Sequence, residues 1–392
     1  MVILFISIEY HLFFQSLHAH LIYKQLQMTH SDISTIRAYN QQLNQSQFST
    51  AKELVGYMGA MQAQDFPMAR WAVGLRLAEA TDKTIEAAYN NGEIIRTHVM
   101  RPTWHFVSPA DIYWMIELTA PRIKPLLKSG DLKLELTPKL LNKCYQLIEN
   151  ELSSNGSITR GDLKQLFENA KINTDENRLS HIMMNAELDS LVCSGPLKNT
   201  KLTFALLSER VPHKQTLSKD ESLAELAKRY FSSHGPATIQ DFVWWSGLSV
   251  SDAKKSIEIN KNILISETIE NEVYWFSNLS SLQTNQSVVH FLPAFDEILI
   301  SYRNRNAIIN TSHNKKAISD NGIFRPIIVV NGHVAGIWRR ATKKNRIEIE
   351  ISLFFQHDNE IISLIEYEVS NYVKFINMPA QLTWSNQFMN TL

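Results

Sequence analysis

Ser153-Ser154-Asn155-Gly156-Ser157-Ile158-Thr159-Arg160-Gly161-Asp162-Leu163 and Ser232-Ser233-His234-Gly235-Pro236-Ala237-Thr238-Ile239-Gln240-Asp241-Phe242 are two copies of one pattern. Both read Ser-Ser-x-Gly-x-x-Thr-x-x-Asp, then Leu or Phe, 79 residues apart. A repeat of this kind marks a structural unit used more than once. Threonine followed three residues later by an acid, just before an apolar residue, is close to a capping box. Each copy therefore opens a helix. A weaker copy, Thr50-Ala51-Lys52-Glu53-Leu54, predicts the same event earlier in the chain.

The flanks of the copies agree. Amphipathic helices are expected at Leu140–Leu152 and Leu223–Phe231, ahead of the two stronger copies, and at 177–189 and 250–259 behind them. β-like runs follow: Leu191–Ser194 with Leu202–Leu207, and Ile263–Ser266 with Val273–Phe276, each pair spaced as a hairpin. Around the first copy, helices are expected at 51–62 and 82–91, with Gly92 just beyond the second. A hairpin of Ile94–Met100 and Thr103–Ser108 then turns at Arg101-Pro102, and Ser108-Pro109 starts the next helix. Three helices and a β-hairpin make the winged-helix plan. A generic α+β protein with coincidental caps is the alternative.

From about residue 284 the texture becomes strand-rich. Val288–Leu292, Glu297–Tyr302, Pro326–Val330, Val334–Trp338 and Arg346–Ile351 read as strands, with Asn331-Gly332 as a two-residue turn. Ile361–Ile376 reads as a closing amphipathic helix. The expected fold is α+β: three tandem winged-helix units, then a small C-terminal β-barrel or sheet domain with a closing helix. The expected boundaries are 28–130, 131–215, 216–283 and 284–392. Residues 1–27 form an extension with a short apolar run broken at Glu9, too short to span a membrane. Met28, followed by a fair helix start, is the expected true beginning of the protein.

The 392 residues are 44% hydrophobic and 20% charged, an ordinary globular balance that argues against disorder. Two cysteines cannot make a disulfide framework, which points to a reducing cytoplasm. No HExxH, P-loop, GxSxG or GxGxxG string occurs, and the 13 histidines lack metal-ligand spacing, so no metal and no cofactor is expected.

The 39 positive and 39 negative residues cancel, which alone disfavours a nucleic-acid partner. Their placement reverses that reading. Between Arg303 and Arg346 lie ten positives and only Asp320 against them, a net +9 that leaves −9 for the rest of the chain. Such a block is either a solvated hairpin face or a phosphate-binding surface; its arginine content favours the latter.

Several strings then resemble a known family. They are Gln62-Ala63-Gln64 before Asp65-Phe66-Pro67, Arg96-Thr-His-Val-Met-Arg101-Pro-Thr-Trp-His105, Leu292-Pro-Ala-Phe-Asp296-Glu297, Asn321-Gly-Ile-Phe-Arg325-Pro, and Gly336-Ile-Trp338-Arg339-Arg340. In this order they are similar to the AlkZ-like DNA glycosylases, also described as winged-helix DNA-binding proteins, from about Met28 nearly to the C-terminus. The resemblance implies three tandem winged helices around duplex DNA, a C-terminal β-barrel, and removal of alkylated bases, especially N7-alkylpurines, with crosslink unhooking in some members. It implies that Gln62 and Gln64 are the catalytic pair. Pro102 stands where Gly is expected and Trp104 where Leu is common.

Physical chemistry fits that carry-over. Residues two apart share a face in extended chain and oppose each other in a helix. Asp65 and Pro67 indicate that the helix ends near the motif, so both amides can converge. A glutamine cannot ionise water, but an N7-alkylated guanine is already cationic and leaves readily. Two amide oxygens then suffice to hold a water and stabilise an oxocarbenium-like sugar. The expected substrate and DNA contacts are Arg96, Arg101, His105, Arg303, Arg305, Arg325, Arg339, Arg340, Lys343 and Lys344. Asp65 is a second polar group or an N-cap, and Trp244 and Trp245 are expected in the core. The expected protein is a monomeric, monofunctional DNA repair glycosylase at the nucleoid, on double-stranded DNA and off the membrane. The alternative is a non-catalytic winged-helix regulator.

Overall fold

All three threonines cap helices as their sequence pattern demands. In the computed structural model, which describes residues 28–277 and 287–385, Thr50 Oγ1 accepts the Glu53 N–H at 3.2 Å, and the Glu53 carboxylate accepts the Thr50 N–H at 3.2 Å. Thr238 and Asp241 make the same reciprocal pair at 3.1 and 3.0 Å. Thr159 Oγ1 accepts the Asp162 N–H at 3.2 Å. The helices so opened are Ala51–Met58, Arg160–Asn169 and Ile239–Ser246.

Each capped helix belongs to a small unit of similar plan. The first has helices Ala51–Met58, Phe66–Gly74 and Asp82–Asn90 and a sheet in which Trp104–Val107 lies between Ala60–Gln62 and Ile95–His98. In the second, Lys201–Leu206 lies between Ile158–Thr159 and Val192–Lys198, beside helices Pro138–Asn155, Arg160–Asn169 and Arg178–Leu188. In the third, Ile265–Ile269 pairs with Glu272–Phe276, and Ala237 bridges to Trp275 in place of the short strand. Helices Lys219–Ser233, Ile239–Ser246 and Val250–Ile259 complete it. A long helix, Ile112–Lys133, joins the first two units. Its N-cap is Asp111 rather than the expected Ser108, whose hydroxyl instead accepts the Ala110 N–H in the turn before it.

The C-terminal strands form one open sheet, in the order Ala380–Trp384, Ile347–Leu353, His333–Thr342, Ile327–Val330, Val289–Leu292. Of the expected barrel or sheet this is the sheet, which corrects the barrel that the resemblance implies. The two outer strands have no second neighbour among the described residues, and closure requires every strand to have two. One face is covered instead by helix Asn359–Ile376, whose Ile361, Ile365, Val369, Tyr372 and Phe375 join the sheet's Phe291, Trp338 and Ile349 in one apolar core. The Asn331-Gly332 turn has φ of 48° and 81° at its two residues, as the primed turn requires.

A second correction concerns Glu297–Tyr302, expected as a strand. Phe295 adopts φ 60°, and Asp296 then caps a one-turn helix, Glu297–Ile300, by accepting the Ile298 N–H at 3.0 Å. The run is apolar because it is buried, not because it is extended.

The apolar cores cross the sequence divisions. Among the described residues, 136–206 supply all the buried members of one core, against which Trp104 of the first hairpin packs. The first helices of the first unit pack with the C-terminal sheet, and its hairpin packs with the third unit. Helix His30–Asn40 packs on the third unit, with Ile33 and Ile36 against Tyr274 and Phe276 and with Arg37 Nε donating to the Pro236 carbonyl at 2.8 Å. The reading of residues 1–27 lies outside the described residues.

Candidate active site

Gly59 decides where the Gln-Ala-Gln motif begins. Helix Ala51–Met58 stops there, at φ 78°, and the chain runs extended through Ala60–Gln62, four residues short of the expected helix end. Asp65 then caps helix Phe66–Gly74 through the Met68 N–H at 3.2 Å, with Pro67 in the first turn. The motif thus begins at the end of a short strand and continues through a bend at Gln64, between two helices. Gln62 lies directly opposite His105 in the sheet, and the Ala63 N–H donates to the Trp104 carbonyl at 2.7 Å.

Gln62 is 5% exposed, and its Oε1 has no hydrogen-bond partner within the described protein. Directly opposite residues of an antiparallel pair project to the same face with Cβ atoms about 5 Å apart. His105, also buried, sets its Nδ1 3.0 Å from the Thr103 carbonyl, leaving Nε2 likewise without a partner. Burial, helped by the nearby Arg101 charge, pushes its pKa down to about 3, so the imidazole is neutral. The free Nε2 is then an acceptor. Two buried acceptors side by side form a site for a donor such as water. Gln64, at the bend, is exposed.

Arg96 is buried and turned inward. Its Nε donates to the Ala63 carbonyl at 2.9 Å, and its guanidinium lies 3.9 Å from the centre of the Trp104 ring. It therefore clamps the middle residue of the motif. Arg101, half-buried at the hairpin tip, lies 5.7 Å from the Trp244 ring; Arg305 lies 5.3 Å from it. Trp245 is in the core as expected, whereas Trp244 is 40% exposed, anchored by its Nε1 on the Ile300 carbonyl at 2.8 Å.

The basic block does not form one face. Arg303 and Arg305 line an open hollow of about 390 Å³ with Gln240, Asn304, Asn306 and Asn314 and with the carboxylates of Asp241 and Glu272, next to Trp244. Lys315, Lys316, Arg325 and Arg339 surround another of about 440 Å³ on the C-terminal sheet. Arg340 projects from the opposite face of its strand and donates to the Tyr372 hydroxyl at 2.7 Å. Lys343 and Arg346 share Glu348 at 3.5 and 2.8 Å, beside the exposed Lys344.

Sequence reasoning missed the group beneath the motif. The buried Glu297 carboxylate accepts the backbone N–H of Gln62 with one oxygen and the Ser301 hydroxyl with the other. His234 Nε2 stands 3.5 Å from that second oxygen. Burial raises the Glu297 pKa, but contacts with His234, Ser301 and the Gln62 N–H outweigh it and bring it to about 2. Next to it, Asp296 makes a bidentate pair with buried Arg76 at 2.8 and 2.9 Å. The signal was present: Asp296-Glu297 ends the Leu292–Glu297 string, and His234 lies in the second repeat.

A buried amide acceptor on an edge strand opposite a buried imidazole acceptor on the central strand, on an α+β scaffold that also carries hollows with arginines in their walls, suits a hydrolase that works on a polyanion. The family comparison makes that class definite. The model of the family "DNA glycosylase AlkZ-like" matches residues 55–375, and the chain belongs to this family of DNA repair glycosylases. It is 22% identical over 312 residues to the Streptomyces sahachiroi "Interstrand DNA cross-link repair glycosylase", covering 74% of this chain and 82% of that protein. The solved structure of Streptomyces sahachiroi DNA glycosylase AlkZ has the same fold, with a TM-score of 0.75 at 20% identity over 91% of this chain and all of that one.

Proposed function

We propose that this protein hydrolyses the N-glycosidic bond of cationic N7-alkylated purines in double-stranded DNA, and that bulky crosslinked purines are within its range. The observation that carries the reading is the pair of unpartnered buried acceptors, Gln62 Oε1 and His105 Nε2, set on neighbouring strands. Gln62 and Gln64 hold the attacking water and face the developing positive charge of the sugar. His105 accepts a hydrogen bond from that water or from the lesion. No ionised base is required, because the alkylated purine departs as a neutral base.

The three units act as winged helices. Support comes from the order of strands in the first two, where a short strand ahead of the hairpin pairs with the hairpin's second arm, and from the Ala237–Trp275 bridge in the third. Arg101, Arg303 and Arg305 grip phosphates around Trp244, and Arg325, Arg339, Lys343 and Lys344 extend that grip along the C-terminal sheet. Arg96 and Arg340 support these contacts from within. The protein works as a monomer on the chromosome in the cytoplasm. Two buried free cysteines fit a reducing compartment, and no described helix is long and apolar enough to cross a membrane.

The experiment is incubation with a duplex containing N7-methylguanine, scoring free base. Release that vanishes in Gln62→Ala combined with Gln64→Ala, with DNA binding retained, is the expected result. No release, with tight binding to one promoter sequence, would instead make the protein a regulator.

A further inference from the structure

Two adjacent carboxylates, Asp296 and Glu297, are buried under the motif, and only Asp296 is paired with an arginine. Asp296 is matched by both terminal nitrogens of Arg76. For Glu297, the one ion-pair-range nitrogen among the described residues belongs to His234, 3.5 Å away. Burial lowers the pKa of that imidazole, against the opposing pull of Glu297. The other contacts of Glu297 are neutral donors, the Ser301 hydroxyl and the Gln62 N–H. Neutral donors keep a carboxylate ionised without cancelling its field. Arg101 senses that field through space, without an ion-pair contact to Glu297.

The placement is specific. Ala60–Gln62 is the edge strand of its sheet, so the Gln62 N–H that points off the edge would otherwise be an orphan donor. The one-turn helix capped by Asp296 delivers Glu297 to that N–H. A full negative charge therefore stands one peptide group away from a side chain assigned to a cationic transition state. The motif itself, two amides, contributes only dipoles.

We propose that Glu297 is a positioning residue that orients Gln62 through its backbone and supplies the negative field that stabilises the oxocarbenium-like sugar. The inference rests on the glycosylase reading above. Glu297 touches no reacting atom; it acts through Gln62 and through space. Charge aimed at a developing charge in a buried site acts more strongly than in water and needs no reorganisation during the reaction.

The test separates field from architecture. Glu297→Gln keeps the shape and an acceptor for the Gln62 N–H while removing the charge. Binding is measured to two duplexes, one with a cationic pyrrolidine in place of the lesion sugar and one with the neutral tetrahydrofuran. Glu297→Gln weakens binding to the cationic duplex by about tenfold or more, as loss of one near charge predicts, and leaves the neutral duplex unchanged. Single-turnover release of N7-methylguanine falls about 100-fold, the scale set by removal of one preorganised electrostatic group. Equal weakening on both duplexes, or none on either, overturns the proposal. If Glu297→Gln does not fold, Ser301→Ala carries the test. It removes one donor that holds the carboxylate, and a smaller cationic-only loss is expected; a loss shared by both duplexes, or none, again overturns it. Failure of the wild-type protein to release base would instead refute the glycosylase reading.

Discussion

Asp296→Ala should unfold the ground on which the site stands. The Arg76 guanidinium uses all five of its N–H groups in the interior: Nε on the Gln41 carbonyl at 2.9 Å, the terminal nitrogens on the Ala72 carbonyl at 2.8 Å, on Gln41 Oε1 at 3.3 Å and on both Asp296 oxygens at 2.9 and 2.8 Å. Both partners are almost fully buried. Removing the carboxylate leaves a positive charge in the core without compensation, which costs about 3–5 kcal/mol in comparable sites. The same substitution deletes the cap of the helix that carries Glu297, an effect of about 1 kcal/mol inside that range. Urea unfolding followed by tryptophan fluorescence should show a loss of that size. Arg76→Met combined with Asp296→Ala removes both charges and should recover part of it. Recovery stays incomplete, because the Gln41 and Ala72 carbonyls lose their donor, at about 1–3 kcal/mol for buried groups. A single-substitution loss below about 1 kcal/mol, or a double variant less stable than the single, would refute this account.

Other expectations are open to direct measurement. Stability should fall as the pH drops below about 6.5, the ordinary histidine value: burial lowers His105 to about 3 and His290 to about 4, and lowers His234 as well, so the unfolded chain binds protons first. Each contributes up to about 1.4 kcal/mol per pH unit down to its folded pKa, and a flat urea midpoint between pH 6.5 and 4.5 contradicts it. Arg303→Ala with Arg305→Ala should reduce the slope of log Kd against log salt by up to about two phosphate contacts. Arg340→Ala, turned to Tyr372, should leave that slope unchanged, which fluorescence anisotropy across a salt series would show. Gly247→Ala should cost about 1–2 kcal/mol, since Gly247 has φ 72° and an added Cβ would meet the Met100 carbonyl at 2.5 Å. Because that contact seats the Arg101 hairpin, base release should fall with the melting temperature in the same variant.

The repeat, the caps and the hairpins could be read from the sequence because they are local. A threonine cap acts three residues away, and a strand alternates over two, so Thr50, Thr159 and Thr238 announced their helices. Gln62 and Gln64 stood out through the company of other short strings rather than their own chemistry. The run Glu297–Tyr302 misled because apolar residues signal burial, and a buried turn of helix looks like a buried strand until Phe295 and Asp296 are seen to bend the chain. The barrel failed for a related reason: strand number can be counted in sequence, whereas closure depends on which edges meet. Lone-pair geometry between residues hundreds of positions apart has no sequence signature, and neither has the sidedness of a strand until its sheet is packed. The sequence by itself therefore determined the caps, the hairpins and the family. Tertiary structure alone decided that Glu297 lies under Gln62, that Arg96 and Arg340 face inward, and that the positive block divides between faces, because burial and through-space charge are set by packing and not by order along the chain.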